Sequence, residues 1–213
     1  MTIKVKICGL RTEVALEAAL DAGADYVGFV FFPPSPRNVA PRTAGKLAAR
    51  ARGRAKVVAL MVDPDDALIA EVAASVAPDI LQLHGRETPE RVAEIRSRWG
   101  IPVMKSVAVE TAEDARGALH YKAAADLILF DARAPAESTR PGGNGAPFDW
   151  RLLLGVKDEV AYMLSGGLTP DNVADAIRVT GAAIVDVSSG VESRPGEKDP
   201  DRIRRFLRAA KGV

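Results

Sequence analysis

At 213 residues, with 47% hydrophobic and 27% charged side chains, the chain has the composition of a folded globular protein and not of a disordered one. Its 29 Lys and Arg against 28 Asp and Glu leave a net charge of +1, which argues against a nucleic-acid or anionic-membrane partner. The single cysteine, Cys8, excludes an internal disulfide and fits a reducing cytoplasm, and two histidines beside it cannot assemble a Cys/His zinc cluster.

The opening MTIKVKICGL carries charges inside a short apolar run, so it reads as a strand and not as a signal peptide. Apolar runs elsewhere fall far below membrane-spanning length. Runs rich in Val, Ile, Leu and Phe recur at residues 3–8, 26–32, 56–62, 80–84, 102–107, 127–131, 161–165 and 184–188. An Ala/Glu/Arg-rich stretch of helical period follows each, the alternation expected of βα units on a parallel sheet. Thr12, Asp65, Thr88 and Thr169 precede such stretches as N-caps, the last two with Pro one residue on, and Gly23, Gly100 and Gly181 fall at helix ends. Eight units of roughly 22 to 34 residues, with no segment left over, predict an α/β fold: a (β/α)8 TIM barrel forming one domain over residues 1–213. The Pro/Gly-rich stretch 134–147 reads as a long loop of the sixth unit and not as a hinge.

In such a barrel the chemistry collects where strands end. Those ends supply Cys8-Gly9, His84-Gly85, Asp131, Ser165-Gly166-Gly167 and, after Asp186, Ser188-Ser189-Gly190. The last two sets suit a phosphate, which would receive backbone N–H groups at glycine-rich turns; tight strand-to-helix turns with no ligand are the alternative. Neither a Rossmann fingerprint nor a P-loop is present. Cys8 alone reads equally as an inert core thiol. Asp131, however, follows Leu127, Ile128, Leu129 and Phe130, apolar surroundings expected to raise its pKa toward proton donation. Strands 1 and 6 stand about 135° apart on an eight-membered ring, which would face thiol and carboxyl across a substrate. Arg37, stiffened by Pro33, Pro34 and Pro36, is either a carboxylate clamp or a solvated loop residue, and His84 either a ligand contact or a hydrogen-bonding support.

Seven ordered motifs carry a resemblance: KICGL (6–10), GFVFFPPSPRNV (28–39), QLHG (82–85), LILFDAR (127–133), GGNGAPFDW (142–150), SGGLTPDNV (165–173) and DVSSGVESRPGEKD (186–199). Over its full length the chain resembles phosphoribosylanthranilate isomerase, an enzyme family of tryptophan biosynthesis. The resemblance implies a (β/α)8 barrel, no metal or organic cofactor, and a small phosphorylated substrate with no obligate protein partner. It implies an Amadori rearrangement with Cys8 as general base and Asp131 as general acid. Arg37 would meet the anthranilate carboxylate; Gly166, Gly167, Ser188, Ser189 and Gly190 would meet the phosphate, with His84 and Asp186 among the substrate-binding residues. The chain departs from the family pattern at Asn144, where Thr or Ser is expected in a lid loop.

Two other readings share the phosphate turns. An indole-glycerol-phosphate synthase or sugar-phosphate epimerase barrel would need a catalytic lysine and glutamate or metal-site histidines at strand ends, and Lys105 is the only strand-end lysine expected. A non-catalytic phosphate-binding barrel would have no use for Cys8 and Asp131 together.

Overall fold

In a computed structural model, residues 2–134, 142 and 148–213 are described. The apolar runs become β1 (Lys4–Cys8), β2 (Tyr26–Phe31), β3 (Lys56–Met61), β4 (Ile80–Leu83), β5 (Val103–Val109), β6 (Leu127–Ala132), β7 (Tyr162–Leu164) and β8 (Ile184–Val187). Each pairs in parallel with the next, and β1 pairs with β8, so the sheet closes into a barrel in chain order. Between them lie α1 (Glu13–Asp21), α2 (Pro41–Ala51), α3 (Asp66–Val76), α4 (Pro89–Trp99), α5 (Ala112–Gly117) and α6 (Val173–Thr180), and α7 (Pro200–Lys211) ends the chain. A small hairpin, β9 (Glu192–Arg194) and β10 (Glu197–Lys198), separates β8 from α7.

Local chemistry sets most helix starts. The side chains of Thr12, Asp65 and Thr88 accept hydrogen bonds from the backbone amides of Ala15, Leu68 and Arg91 respectively, as N-caps do. Two expectations need adjusting. Thr169 caps a turn ahead of the helix: its hydroxyl accepts from Asp171 N–H at 3.3 Å and its amide donates to Asn172 Oδ1 at 2.8 Å, and α6 begins only at Val173. In the sixth unit, a 3₁₀ segment (Trp150–Gly155) stands among the described residues where an α-helix was expected. Most of the 134–147 loop, Asn144 included, lies outside the described residues.

Side chains alternate between two faces of every strand. Outward residues such as Val5, Ile7, Val27, Phe29, Leu81 and Phe130 pack against the helices in the main core. Inward, the lower barrel is filled by Tyr26, Val58, Ile80, Met104, Leu129 and Met163. Higher up, the interior turns polar: Lys6, Gln82, Ser106, Asp131, Ser165 and Asp186 are all buried. At the lower rim, carboxylates immediately before even-numbered strands accept from amides at the start of odd-numbered ones, the first or second of the strand. Asp25 takes Val5 N–H at 2.8 Å, Asp79 takes Val57 N–H at 2.7 Å and Asp126 takes Val103 N–H at 2.8 Å.

Candidate active site

The upper, C-terminal end of the barrel opens into a cavity bordered by Cys8, Arg37, His84, Asp131, Gly166, Gly167, Asp186, Ser188 and Ser189. Cys8 ends β1 and Asp131 is the penultimate residue of β6, so the thiol and the carboxylate enter from separate walls, as the strand count predicts. Between them, on β2 and β3, Val30, Phe32, Leu60 and Val62 make an apolar wall. The glycine and serine turns after β7 and β8 form the other flank.

Asp131 does not sit in the apolar niche that its strand alone suggests, because Leu129 points into the lower plug while Ile128 and Phe130 face the helices. Its carboxylate accepts the Ala132 N–H at 2.9 Å and lies 3.3 Å from His84 Nε2. The ring is held from behind: Gln82 Nε2 stands 3.1 Å from His84 Nδ1 and Ser106 Oγ 3.3 Å from Nε2. Nε2 is the ring nitrogen that faces Asp131. Gly142 comes down over this pair; a Cβ there would lie 2.6 Å from Asp131 Oδ2. His84 thus supports Asp131 while also bordering the cavity.

Arg37 is not a solvated loop residue. It is 5% exposed, and its Nε and Nη2 donate to the two oxygens of Glu192 at 2.7 and 2.9 Å. Glu192 also accepts from Lys198 Nζ at 2.8 Å, and Lys198 donates to Ser188 O at 2.8 Å. The hairpin β9–β10 therefore ties the Arg37 loop to the turn after β8. Burial works against the Glu192 carboxylate, but Arg37 and Lys198 hold it below the usual range. Sequence reasoning missed Glu192 and Lys198, although both lie in the DVSSGVESRPGEKD motif; a Glu and a Lys six residues apart across a Pro-Gly turn were the available signal.

Burial pushes the Lys198 ammonium down to about 8, against the Glu192 carboxylate that favours the charge. The unfolded chain keeps this proton up to about 10.5, so between the two values it binds more protons than the folded one and this group makes stability rise with pH. Urea melts should show the wild type gaining on Lys198→Met from pH 8 to pH 10; a constant gap would mean that Lys198 does not titrate there.

The glycines of the turn after β7, Gly166 and Gly167, have φ of 86° and 65°, which leaves their backbone beside the cavity without side chains. Gly190 is a correction. It is not among the residues lining the cavity; a Cβ there would lie 1.9 Å from the Leu168 carbonyl oxygen, so the β8 turn packs tightly on the β7 turn. Lys105 is another: it lies inside β5, points outward and pairs with Glu87 at 2.9 Å, away from the cavity. The lysine inside the barrel is Lys6, with no exposed surface, 2.9 Å from Asp186 Oδ1; Ser165 Oγ donates to the other Asp186 oxygen at 3.2 Å. Burial raises the Cys8 thiol above its ordinary value, and Lys6 opposes that rise.

Among the described residues no group of three His, Cys, Asp or Glu side chains is arranged to hold a metal, and no helix is long and apolar enough to cross a membrane.

A closed (β/α)8 barrel whose upper mouth gathers a thiol, a histidine-backed carboxylate and two glycine-rich turns defines a TIM-barrel enzyme. The family model of N-(5'-phosphoribosyl)anthranilate (PRA) isomerase matches residues 5–209. The chain belongs to that family. It is 58% identical over 213 residues to the N-(5'-phosphoribosyl)anthranilate isomerase of Rhodopseudomonas palustris (strain BisA53), covering 100% of this chain and 98% of that protein. With the protein of the same name from Paramagnetospirillum magneticum it shares 55% identity over 212 residues, covering 100% and 99% of the two chains. The crystal structure of phosphoribosyl anthranilate isomerase from Thermotoga maritima superimposes with a TM-score of 0.90 at 39% identity, over 99% of this chain and 100% of that one. A phosphoribosyl anthranilate isomerase in complex with reduced 1-(o-carboxyphenylamino)-1-deoxyribulose 5-phosphate does so with a TM-score of 0.86 at 37% identity and the same coverage.

Proposed function

We propose that this protein converts N-(5-phosphoribosyl)anthranilate to 1-(2-carboxyphenylamino)-1-deoxyribulose 5-phosphate in tryptophan biosynthesis, with Cys8 as general base and Asp131 as general acid. The observation that carries the reading is the division of one cavity: thiol and carboxyl on separate walls, an apolar wall beside Arg37, and glycine-serine turns opposite. Such a cavity suits an aromatic carboxylate at one end and a phosphate at the other. Asp131 protonates the furanose ring oxygen, and the ring opens to an iminium. That positive charge acidifies the adjacent C2′–H, which the Cys8 thiolate removes. The electron pair of the broken C–H bond neutralises the iminium, giving an enolamine. Tautomerisation then moves the C2′ hydroxyl proton to C1′ and leaves the ketone. Solvent carries the proton gained by Cys8 back to replace the one lost by Asp131.

Residues from β1, β6, β8 and the loops after β2, β4, β7 and β8 must act together, so residues 1–213 serve as one domain. Substrate made in situ from anthranilate and phosphoribosyl pyrophosphate should lose its anthranilate-type fluorescence faster when the protein is added; no acceleration would reject the reading. Inorganic phosphate should compete with the substrate at millimolar levels, raising KM without lowering kcat. Inhibition that persists at saturating substrate would place the anion elsewhere than the glycine-serine turns.

A further inference from the structure

A lysine with no exposed surface is unusual, and a buried ion pair such as Lys6–Asp186 is weak evidence of stabilisation, because an apolar pair of the same shape often serves stability as well or better. Its place in the barrel is more informative. Lys6 and Cys8 are two residues apart on β1, so both side chains enter the interior, the amine one layer beneath the thiol. They meet in the space left by Gly28, the β2 partner of Cys8: a Cβ there would lie 3.1 Å from Cys8 Sγ and 3.2 Å from Lys6 Cε. From the other side Asp186, the β8 partner of Lys6, holds the amine.

Several charged groups face the thiol. They are Lys6 from its own strand, Asp186 from β8 and Lys198 from β10, with Arg37 from the loop after β2, and His84 and Asp131 across the cavity. Burial penalises a thiolate at this position, and Lys6 is the foremost group favouring it, while Asp186 opposes it. The ammonium is itself kept charged: although burial works against it, Asp186 and Cys8 hold it above the ordinary lysine value.

We propose that Lys6 is a positioning residue for the base: pinned by Asp186, its ammonium compensates the Cys8 thiolate inside the barrel and sets the pH range in which the sulfur accepts a proton. The role in catalysis rests on the reading of Cys8 as general base. The coupling of Lys6 to the thiol does not.

Because Cys8 is the only cysteine, iodoacetamide alkylation followed by mass spectrometry reports this thiol alone. Lys6→Met should move the pH–rate profile upward by about one unit or more, slowing alkylation about tenfold on its rising limb. Asp186→Asn, which leaves the ammonium unopposed, should move it downward. The double variant Lys6→Met/Asp186→Asn buries no unpaired charge. Because Lys6 outweighs Asp186 at the thiol, it should still show an upward shift, smaller than that of the single lysine variant, should that variant fail to fold. A profile unchanged from wild type in Lys6→Met or in the double variant overturns the proposal. Wild-type turnover in Cys8→Ala would instead remove the functional reading while leaving the alkylation shift standing.

Discussion

Cys8→Ala and Asp131→Asn are each expected to lower kcat by about two orders of magnitude or more, since a positioned acid or base typically contributes 10²- to 10⁴-fold. Neither change should move KM by a comparable factor. Asn at 131 keeps the shape of the carboxylate: its amide oxygen can still accept from Ala132 N–H while its NH2 takes the place of the oxygen that faces His84 Nε2, so the wall stays in place while the transferable proton is lost. Ala at 8 removes one sulfur from a wall shared with Val30 and Leu60, a small void beside an open cavity. Steady-state fluorescence kinetics on both variants, with circular dichroism as the folding control, make the measurement. A kcat near wild type in either one strikes that residue from the mechanism.

Gly190→Ala should be the most damaging single methyl group in the protein's upper half. A Cβ at this position overlaps the Leu168 carbonyl oxygen, which belongs to backbone and cannot rotate away, so the β7 and β8 turns must separate. Overpacking of this kind costs about 1–3 kcal/mol. In a domain of this length each kcal/mol lowers Tm by about 2–4 °C, which predicts a drop of several degrees. Because the same two turns border the anion side of the cavity, KM should rise about tenfold or more and inhibition by inorganic phosphate should weaken in step. Ser189→Ala, which leaves the packing of the turns alone, should affect affinity without the loss of Tm. An unchanged melt and an unchanged KM in Gly190→Ala would show that the two turns are not locked together there.

Much of this was legible in sequence because it is local. Strand runs, helix caps at Thr12, Asp65 and Thr88, and strand-end residues such as Cys8 and Asp131 declare themselves within a few positions. What escaped is non-local. Arg37 meets Glu192 across 155 residues and Lys6 meets Asp186 across 180, and only the closure of β1 on β8 brings the second pair together. Lys6 looks like an ordinary exposed residue in an alternating KVKIC strand until the barrel closes and leaves its strand no solvent face. That was the available signal: in a sheet covered on both sides, a charge in mid-strand is buried whichever way it points and needs a partner. The start of α6 was misread for a different reason. Thr169 does form a capping turn with Asp171 and Asn172, but the regular helix follows that turn and starts at Val173.

The carboxylates of Asp25, Asp79 and Asp126 tie β1 to β2, β3 to β4 and β5 to β6 at the end of the barrel away from the cavity. Each is a hydrogen bond from a backbone amide to an ionised acceptor, the stronger kind. A staved vessel hooped at its foot can widen at its mouth without its staves slipping. Here the foot is hooped by charge and stoppered by Tyr26, Val58, Ile80, Met104, Leu129 and Met163, so breathing of the strand tips has a fixed pivot. Amide hydrogen exchange would therefore be slowest at Val5, Val57 and Val103 and quicken toward the rim. Strand register is thereby held at the foot, and with it the heights at which the thiol and the carboxylate enter the cavity.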